Sequence, residues 1–256
     1  MKKFAWLFSF VFVLFTHLLA IYFKEESLRF ISKSLLMPIL AIYFLSETRD
    51  SVSDLKLWIL LALFFSWVGD VLLMFEQNNE VFFLMGLVAF LAAQIAYIVF
   101  FHAMRMRENI RGNVLLLLLV VVYYSVLISV LSPHLGSMKL PVRIYGVVLS
   151  FMLMLAMHTM LGRTRKAGRW LMAGAVLFVA SDSLLAVNKF LLPLDYASLV
   201  VMVTYGLGQL LIIEGAAKYI ISKKPPARRK TDKELSRMII TGEGELNNEY
   251  DEGQKM

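Results

Sequence analysis

Cysteine is absent from the 256 residues, which excludes disulfides and a thiolate nucleophile and leaves the redox compartment open. No H-E-x-x-H, G-x-S-x-G or P-loop pattern occurs, so metalloprotease, serine hydrolase and NTPase readings lack support. No A-x-A-like cleavage site follows the first apolar run, which continues through Ile21-Tyr22-Phe23; a retained helix is expected there, not a signal peptide. Charge is scarce within the long apolar stretches. The net charge of +7 therefore lies in the loops between them, where it bears on membrane orientation and not on nucleic acid.

What is present is hydrophobic: 59% of residues, with a mean hydropathy of +0.70, above the roughly one half apolar content of a soluble domain. Eight runs, near 4–23, 29–46, 56–75, 80–101, 114–132, 140–161, 170–187 and 196–221, are each long enough to cross ~30 Å of hydrocarbon. The expected fold is all-α: a polytopic membrane protein with eight transmembrane helices over residues 1–222. Residues 223–256 read as a polar cytoplasmic tail, basic first and acidic later, opened by Pro225-Pro226 and too poor in apolar residues to form a core. Lys2, Lys3, Arg105, Arg107, Arg165 and Lys166 fall on one side of the membrane. The other side carries mainly Lys24, Arg29, Lys139 and Lys189. This asymmetry places both termini in the cytoplasm, and either a bacterial cytoplasmic membrane or an endoplasmic reticulum fits.

Two stretches inside these runs carry an aspartate: Gly69-Asp70-Val71-Leu72-Leu73 and Ser181-Asp182-Ser183-Leu184-Leu185. Each reads small residue, Asp, any residue, Leu, Leu. An intramembrane carboxyl costs on the order of 3 kcal/mol to insert, so a partner charge, water or a proton must offset it. The two segments are helices three and seven. They are four places apart in helix order, so they run the same way, as a parallel four-plus-four helix repeat would require. Helical rise puts both acids roughly 8 Å inside the non-cytoplasmic boundary. Lys33, Asn188, Lys189, Tyr205, Gln209 and His17 are expected in the same half, whereas Gln94, Tyr97, His158, Glu214 and Lys218 are expected in the inner half. His17 and His158 read as hydrogen-bonded helix residues, Glu214 and Lys218 as a structural i, i+4 pair. Gly69, Gly86, Gly174, Gly206 and Gly208 read as sites of close helix packing.

Several segments in order resemble the YhhN family of integral membrane proteins. They are Lys33-Ser34-Leu35-Leu36-Met37-Pro38, Ser66 to Met74, Phe83 to Phe90 followed by Tyr97, Pro141 to Tyr145, Phe178 to Phe190, and Thr204-Tyr205 with Gln209. Ser34 stands where the family has proline, and Gln94 where it has histidine. The resemblance implies an eight-helix lysoplasmalogenase. Such an enzyme hydrolyses the vinyl ether bond of lysoplasmalogens to a fatty aldehyde and glycerophosphoethanolamine or glycerophosphocholine. Its partner would be a lysophospholipid within the membrane, with no nucleic acid, cofactor or metal.

That chemistry suits the residues. Protonation of the alkenyl β-carbon gives an oxocarbenium ion, which water attacks; the hemiacetal then collapses. Such a route needs a protonated acid and an anion, as in glycosidases. Asp70 and Asp182 are the candidates for the two roles, in either order. Lys33, Asn188 and Lys189 are candidates to hold the phosphate, and Tyr205 and Gln209 to position water or the ether oxygen. The alternatives are a proton-coupled transporter or permease for a small solute or lipid, and a lipid-binding scaffold with structural aspartates. The lack of repeated Gly/Pro helix breaks at mid-membrane weighs against the transporter.

Overall fold

A computed structural model describes residues 2–76 and 79–223. The segment expected to be a tail lies, apart from Lys223, outside the described residues. Eight α-helices make up the fold, with no strand among the described residues: α1 (Lys2–Tyr22), α2 (Glu26–Glu47), α3 (Leu55–Leu73), α4 (Glu80–Arg107), α5 (Val114–Leu131), α6 (Lys139–His158), α7 (Arg165–Phe190) and α8 (Ala197–Ser222). All eight are long and apolar enough to cross a membrane. In hydrocarbon every backbone polar group must be satisfied within the segment, so sequences this apolar become helices. The protein is an integral, multi-pass membrane protein.

Two helices outrun their expected ends. Helix α4 continues to Arg107 because Met104 is buried and Arg105 and Arg107 occupy its last turn, where cations oppose the helix dipole. Helix α7 begins at Arg165 because Ala167, Gly168 and Leu171 pack inward. Side-chain caps mark other boundaries: Asn79 accepts from the Val81 amide and Asn113 from the Leu115 amide, both at 2.9 Å.

Short links make each helix return antiparallel to the one before. Successive helices pack together except across α4–α5; there α4 turns to α6 instead, and α8 closes on α1, α2 and α3. The most extensive pairs are α3 with α4 and α7 with α8, which occupy the same place in each half. Both are tight because glycine removes a side chain at the crossing. A Cβ on Gly69 would lie 2.6 Å from the Phe90 ring, and one on Gly174 would lie 2.6 Å from the Gly208 carbonyl. Helix α5 is peripheral: only 11% of its apolar window is buried, against 50% for α6 and α8. Its exposed leucines and valines face lipid.

Candidate active site

Asp70 and Asp182 line one cavity of about 110 Å³, walled mainly by apolar side chains such as Leu87, Phe90, Leu185 and Met202. Asp70, on α3, is buried. It accepts a hydrogen bond from the Tyr205 hydroxyl of α8 at Oδ2 (2.7 Å), and the Lys33 ammonium of α2 lies 3.6 Å from Oδ1. Asp182, on α7, accepts at Oδ2 from the Tyr145 hydroxyl of α6 and from Gln94 Nε2 of α4 (3.3 Å). Gln94 Nε2 also donates to the Tyr145 hydroxyl oxygen at 2.9 Å. Both donors converge on Oδ2; among the described residues none is bonded to Oδ1.

These partners are related by the halves of the chain. Each aspartate takes one partner from the helix before it, α2 or α6, and one from the last helix of the other half, α8 or α4. The spacing agrees: Lys33 precedes Asp70 by 37 residues, and Tyr145 precedes Asp182 by the same 37. The chemistry of the paired positions differs. Asp70 has a cation, whereas Asp182 has only neutral donors.

Helix α2 is held in register by a defect. Pro38 sits inside it and has no N–H, which frees the Ser34 carbonyl one turn earlier. Trp67 Nε1 of α3 donates to that oxygen at 3.0 Å. Trp67 is one turn from Asp70 and Ser34 is next to Lys33, so this bond fixes the two helices where the ion pair forms.

A second cavity of about 380 Å³ adjoins the first. The two share Lys33, Leu73, Leu185, Val201 and Met202. This vestibule sits where α1, α3 and α7 end and α2 and α8 begin. It is polar, with Arg29, Lys33, Glu26, Glu76, His17 and Asn188 in its wall.

The expected site residues divide three ways. Asp70, Asp182, Lys33 and Tyr205 come together in the acid chamber. Asn188 lies in the vestibule, though its Oδ1 accepts from the Leu194 amide at 2.9 Å. Lys189 and Gln209 line neither cavity. The Lys189 ammonium bridges to Glu76 at 2.9 Å and sits 4.2 Å above the Phe83 ring, because its position on α7 points it at α4 and not inward. Gln209, fully buried, accepts from the Tyr97 hydroxyl and donates to Ser66 Oγ at 3.0 Å, tying α8 to α4 and α3. His17 is hydrogen-bonded to Ser32 Oγ at 2.8 Å. His158 accepts from the Asn113 amide at Nε2 and donates from Nδ1 to the Met154 carbonyl, a saturated structural role. Gln94, expected in the inner half, instead reaches Asp182. Arg29, Gln94 and Tyr145 are the site residues that sequence reasoning gave no role. Mapping the 37-residue offset from one aspartate to the other would have found Tyr145.

The YhhN family model matches residues 28–216, a stretch that carries every residue lining the acid chamber. The chain is 36% identical over 153 residues to the lysoplasmalogenase TMEM86B of Rattus norvegicus, covering 60% of this chain and 58% of that protein. It is 35% identical over 159 residues to the human lysoplasmalogenase TMEM86B (62% of each chain). It is also 31% identical over 136 residues to the lysoplasmalogenase of Mycobacterium tuberculosis (52% of this chain, 50% of that protein). The alignments thus span between half and two thirds of these relatives' length. No solved structure matches the chain. With the family match extending from α2 into α8 and enclosing both aspartates, the chain belongs to the YhhN family.

Proposed function

We propose that the protein hydrolyses the vinyl ether bond of lysoplasmalogens, alkenylglycerophosphoethanolamine or alkenylglycerophosphocholine, by aspartate acid–base chemistry. The observation that carries this reading is one cavity with two carboxyl groups in unlike surroundings, joined to a polar vestibule that carries Arg29 and Lys33. The relatives named lysoplasmalogenase support the same activity.

The unlike partners divide the roles. Asp182 has no cation beside it and an Oδ1 without a donor, so it serves as the acid. It gives its proton to the alkenyl β-carbon, and the C=C bond becomes an oxocarbenium ion. Asp70, its charge compensated by Lys33, is the anion that stabilises this cation. Water adds to the carbon bearing the ether oxygen and loses a proton to the Asp182 carboxylate. The hemiacetal then breaks its bond to the glycerol oxygen, which leaves as an alcohol, and the aldehyde is released. Tyr145 and Gln94 hold Asp182, and Tyr205 holds Asp70. Arg29 and Lys33 receive the phosphate in the vestibule. Loop charge supports a vestibule at the non-cytoplasmic face and both termini in the cytoplasm; in that orientation the lysolipid enters from the outer leaflet.

The test is aldehyde release from lysoplasmenylethanolamine by purified protein carrying Asp70→Asn or Asp182→Asn. Each variant is expected to lose roughly 10²–10⁴-fold in kcat. A variant that keeps full activity removes its aspartate from the mechanism. Proton-coupled flux in proteoliposomes without aldehyde would replace the hydrolase with a transporter.

A further inference from the structure

The acid chamber is too small for a fatty chain. At about 110 Å³ it is below the roughly 150 Å³ of an engineered cavity that holds one benzene. A lysolipid with its phosphate in the vestibule and its vinyl ether at the acids must send the rest of its chain somewhere. The vestibule, the Phe83–Phe190 rim and an apolar groove border the chamber. The vestibule is polar and already taken by the headgroup. The rim lies toward the gap between α4 and α7. It is shut by Phe83 and Phe190, ring centroids 5.8 Å apart edge to face, with Lys189 over Phe83 and bonded to Glu76. Charge at that rim also repels hydrocarbon.

The apolar groove lies between α5, α6 and α7. It shares Val142, Tyr145, Asp182 and Ala186 with the chamber, so it starts at the acid. Its own enclosed volume is about 30 Å³, and Tyr124, Leu127 and Ile128 along it are only half buried. It is therefore a passage toward the lipid face and not a container. Gly146 lines it opposite Tyr124; a Cβ there would lie 3.0 Å from the Tyr124 ring. The polar groups nearby are capped on one another, with Tyr123 and Ser183 hydroxyls 2.6 Å apart. Hydrocarbon meets no unpaired donor along the way.

We infer that this α5–α6 groove is the binding passage for the aliphatic chain of a single-chain lipid, leading it from Asp182 into the bilayer beside peripheral α5. The inference rests on the lysoplasmalogen reading for its ligand. Chain selectivity then resides in Leu127, Ile128 and Gly146, not in the chamber.

The test uses the full-length protein in nanodiscs, with Leu127→Trp and Ile128→Trp on peripheral α5, each checked for folding by its thermal midpoint. Aldehyde release is compared for hexadecenyl and butenyl lysophosphoethanolamine. Plugging the groove is expected to lower kcat/KM for the hexadecenyl substrate roughly tenfold or more and to leave the butenyl one unchanged. In parallel, a hexadecyl ether lysophosphoethanolamine with a terminal diazirine, which cannot be hydrolysed at a vinyl ether, is photolysed on the wild-type protein. Label on α5 and α6 peptides is expected. Label on the α4 segment around Leu87, or an equal fall for both substrates, overturns the groove. Label on α5 and α6 with no aldehyde from any substrate sinks the hydrolase reading alone and leaves the groove as a lipid site.

Discussion

A carboxylate is held between helices at each end of the bundle, and the two ends use it differently. At the end remote from the vestibule, Glu214 of α8 is saturated. The Tyr43 hydroxyl of α2 donates to Oε2, and the Lys218 ammonium holds Oε1 while lying 5.5 Å above the Trp170 ring of α7. At the vestibule end, Asp182 takes both its donors on one oxygen and faces a cavity. Asp70 has its cation at a looser 3.6 Å. The residue type is nearly the same. What separates a brace from a candidate reacting group is the space beside it and the oxygen left over.

The sharpest way to break this comparison is to neutralise both kinds of carboxylate in turn. Asp182→Asn is expected to abolish aldehyde release by about two to four orders of magnitude. Glu214→Gln should leave kcat within a few-fold and show itself instead in the thermal midpoint, at a cost of about 1–3 kcal/mol for the polar partners left unmatched. Equal losses of kcat in both variants would mean that the ends do not differ in kind. Next in size is Lys33. Lys33→Met removes the cation from Asp70 and should lower kcat/KM by roughly 10–100-fold, the worth of a charge-assisted contact. Lys33→Arg should recover part of it. A Lys33→Met protein with a raised KM and normal kcat would confine Lys33 to the phosphate and remove its hold on Asp70.

Much of this was readable before any coordinates. Eight apolar runs of spanning length gave eight helices, because hydrocarbon leaves the backbone no other solution. The two aspartates stood out for the same reason, since an acid at that depth must be compensated. Depth alone, however, carries no azimuth. Lys189 and Gln209 share helices with residues of the acid chamber, yet one points to α4 and the other into a packed seam. Gln94 has apolar neighbours along α4, so its sequence shows no partner; only the approach of α6 and α7 reveals Tyr145 and Asp182. Tyr145 carried a family motif but no charge, and a neutral donor announces itself only when an acceptor is seen opposite. The vestibule is built from the ends of five helices, so no single segment could disclose it.

Packing around the acid chamber gives a third, smaller test. Gly69→Ala would bring a Cβ to 2.6 Å from Phe90, whose ring lies edge-on to Tyr205 at 6.0 Å. The crowding should cost about 1–3 kcal/mol of stability and disturb the Tyr205–Asp70 bond, lowering activity as well. Trp67→Phe, which deletes the bond to the Ser34 carbonyl, should cost about 1 kcal/mol. If both variants lost stability with kinetics untouched, the α2–α3–α4 packing would be support only, as at the Glu214 end.

The smallest effect belongs to an ion pair that joins helices at the surface. Arg107 Nη2 at the end of α4 reaches both oxygens of Asp54 at the start of α3, at 2.7 and 2.8 Å, with Asp54 72% exposed. The hydrogen bond from Arg107 holds the Asp54 carboxyl below its ordinary range. A carboxyl with a depressed value in the folded state adds stability above its unfolded pKa of about 3.9, and that contribution disappears as the pH falls through the folded value. Solvent screening keeps the gain under about 1 kcal/mol. Asp54→Asn should therefore lower the thermal midpoint slightly at neutral pH, by less in about 1 M salt, and not at all once the pH is well below the carboxylate range. Aldehyde release should not change. A variant that lost activity here would couple this end of α3 to Asp70, and the two ends of the bundle would then no longer be independent.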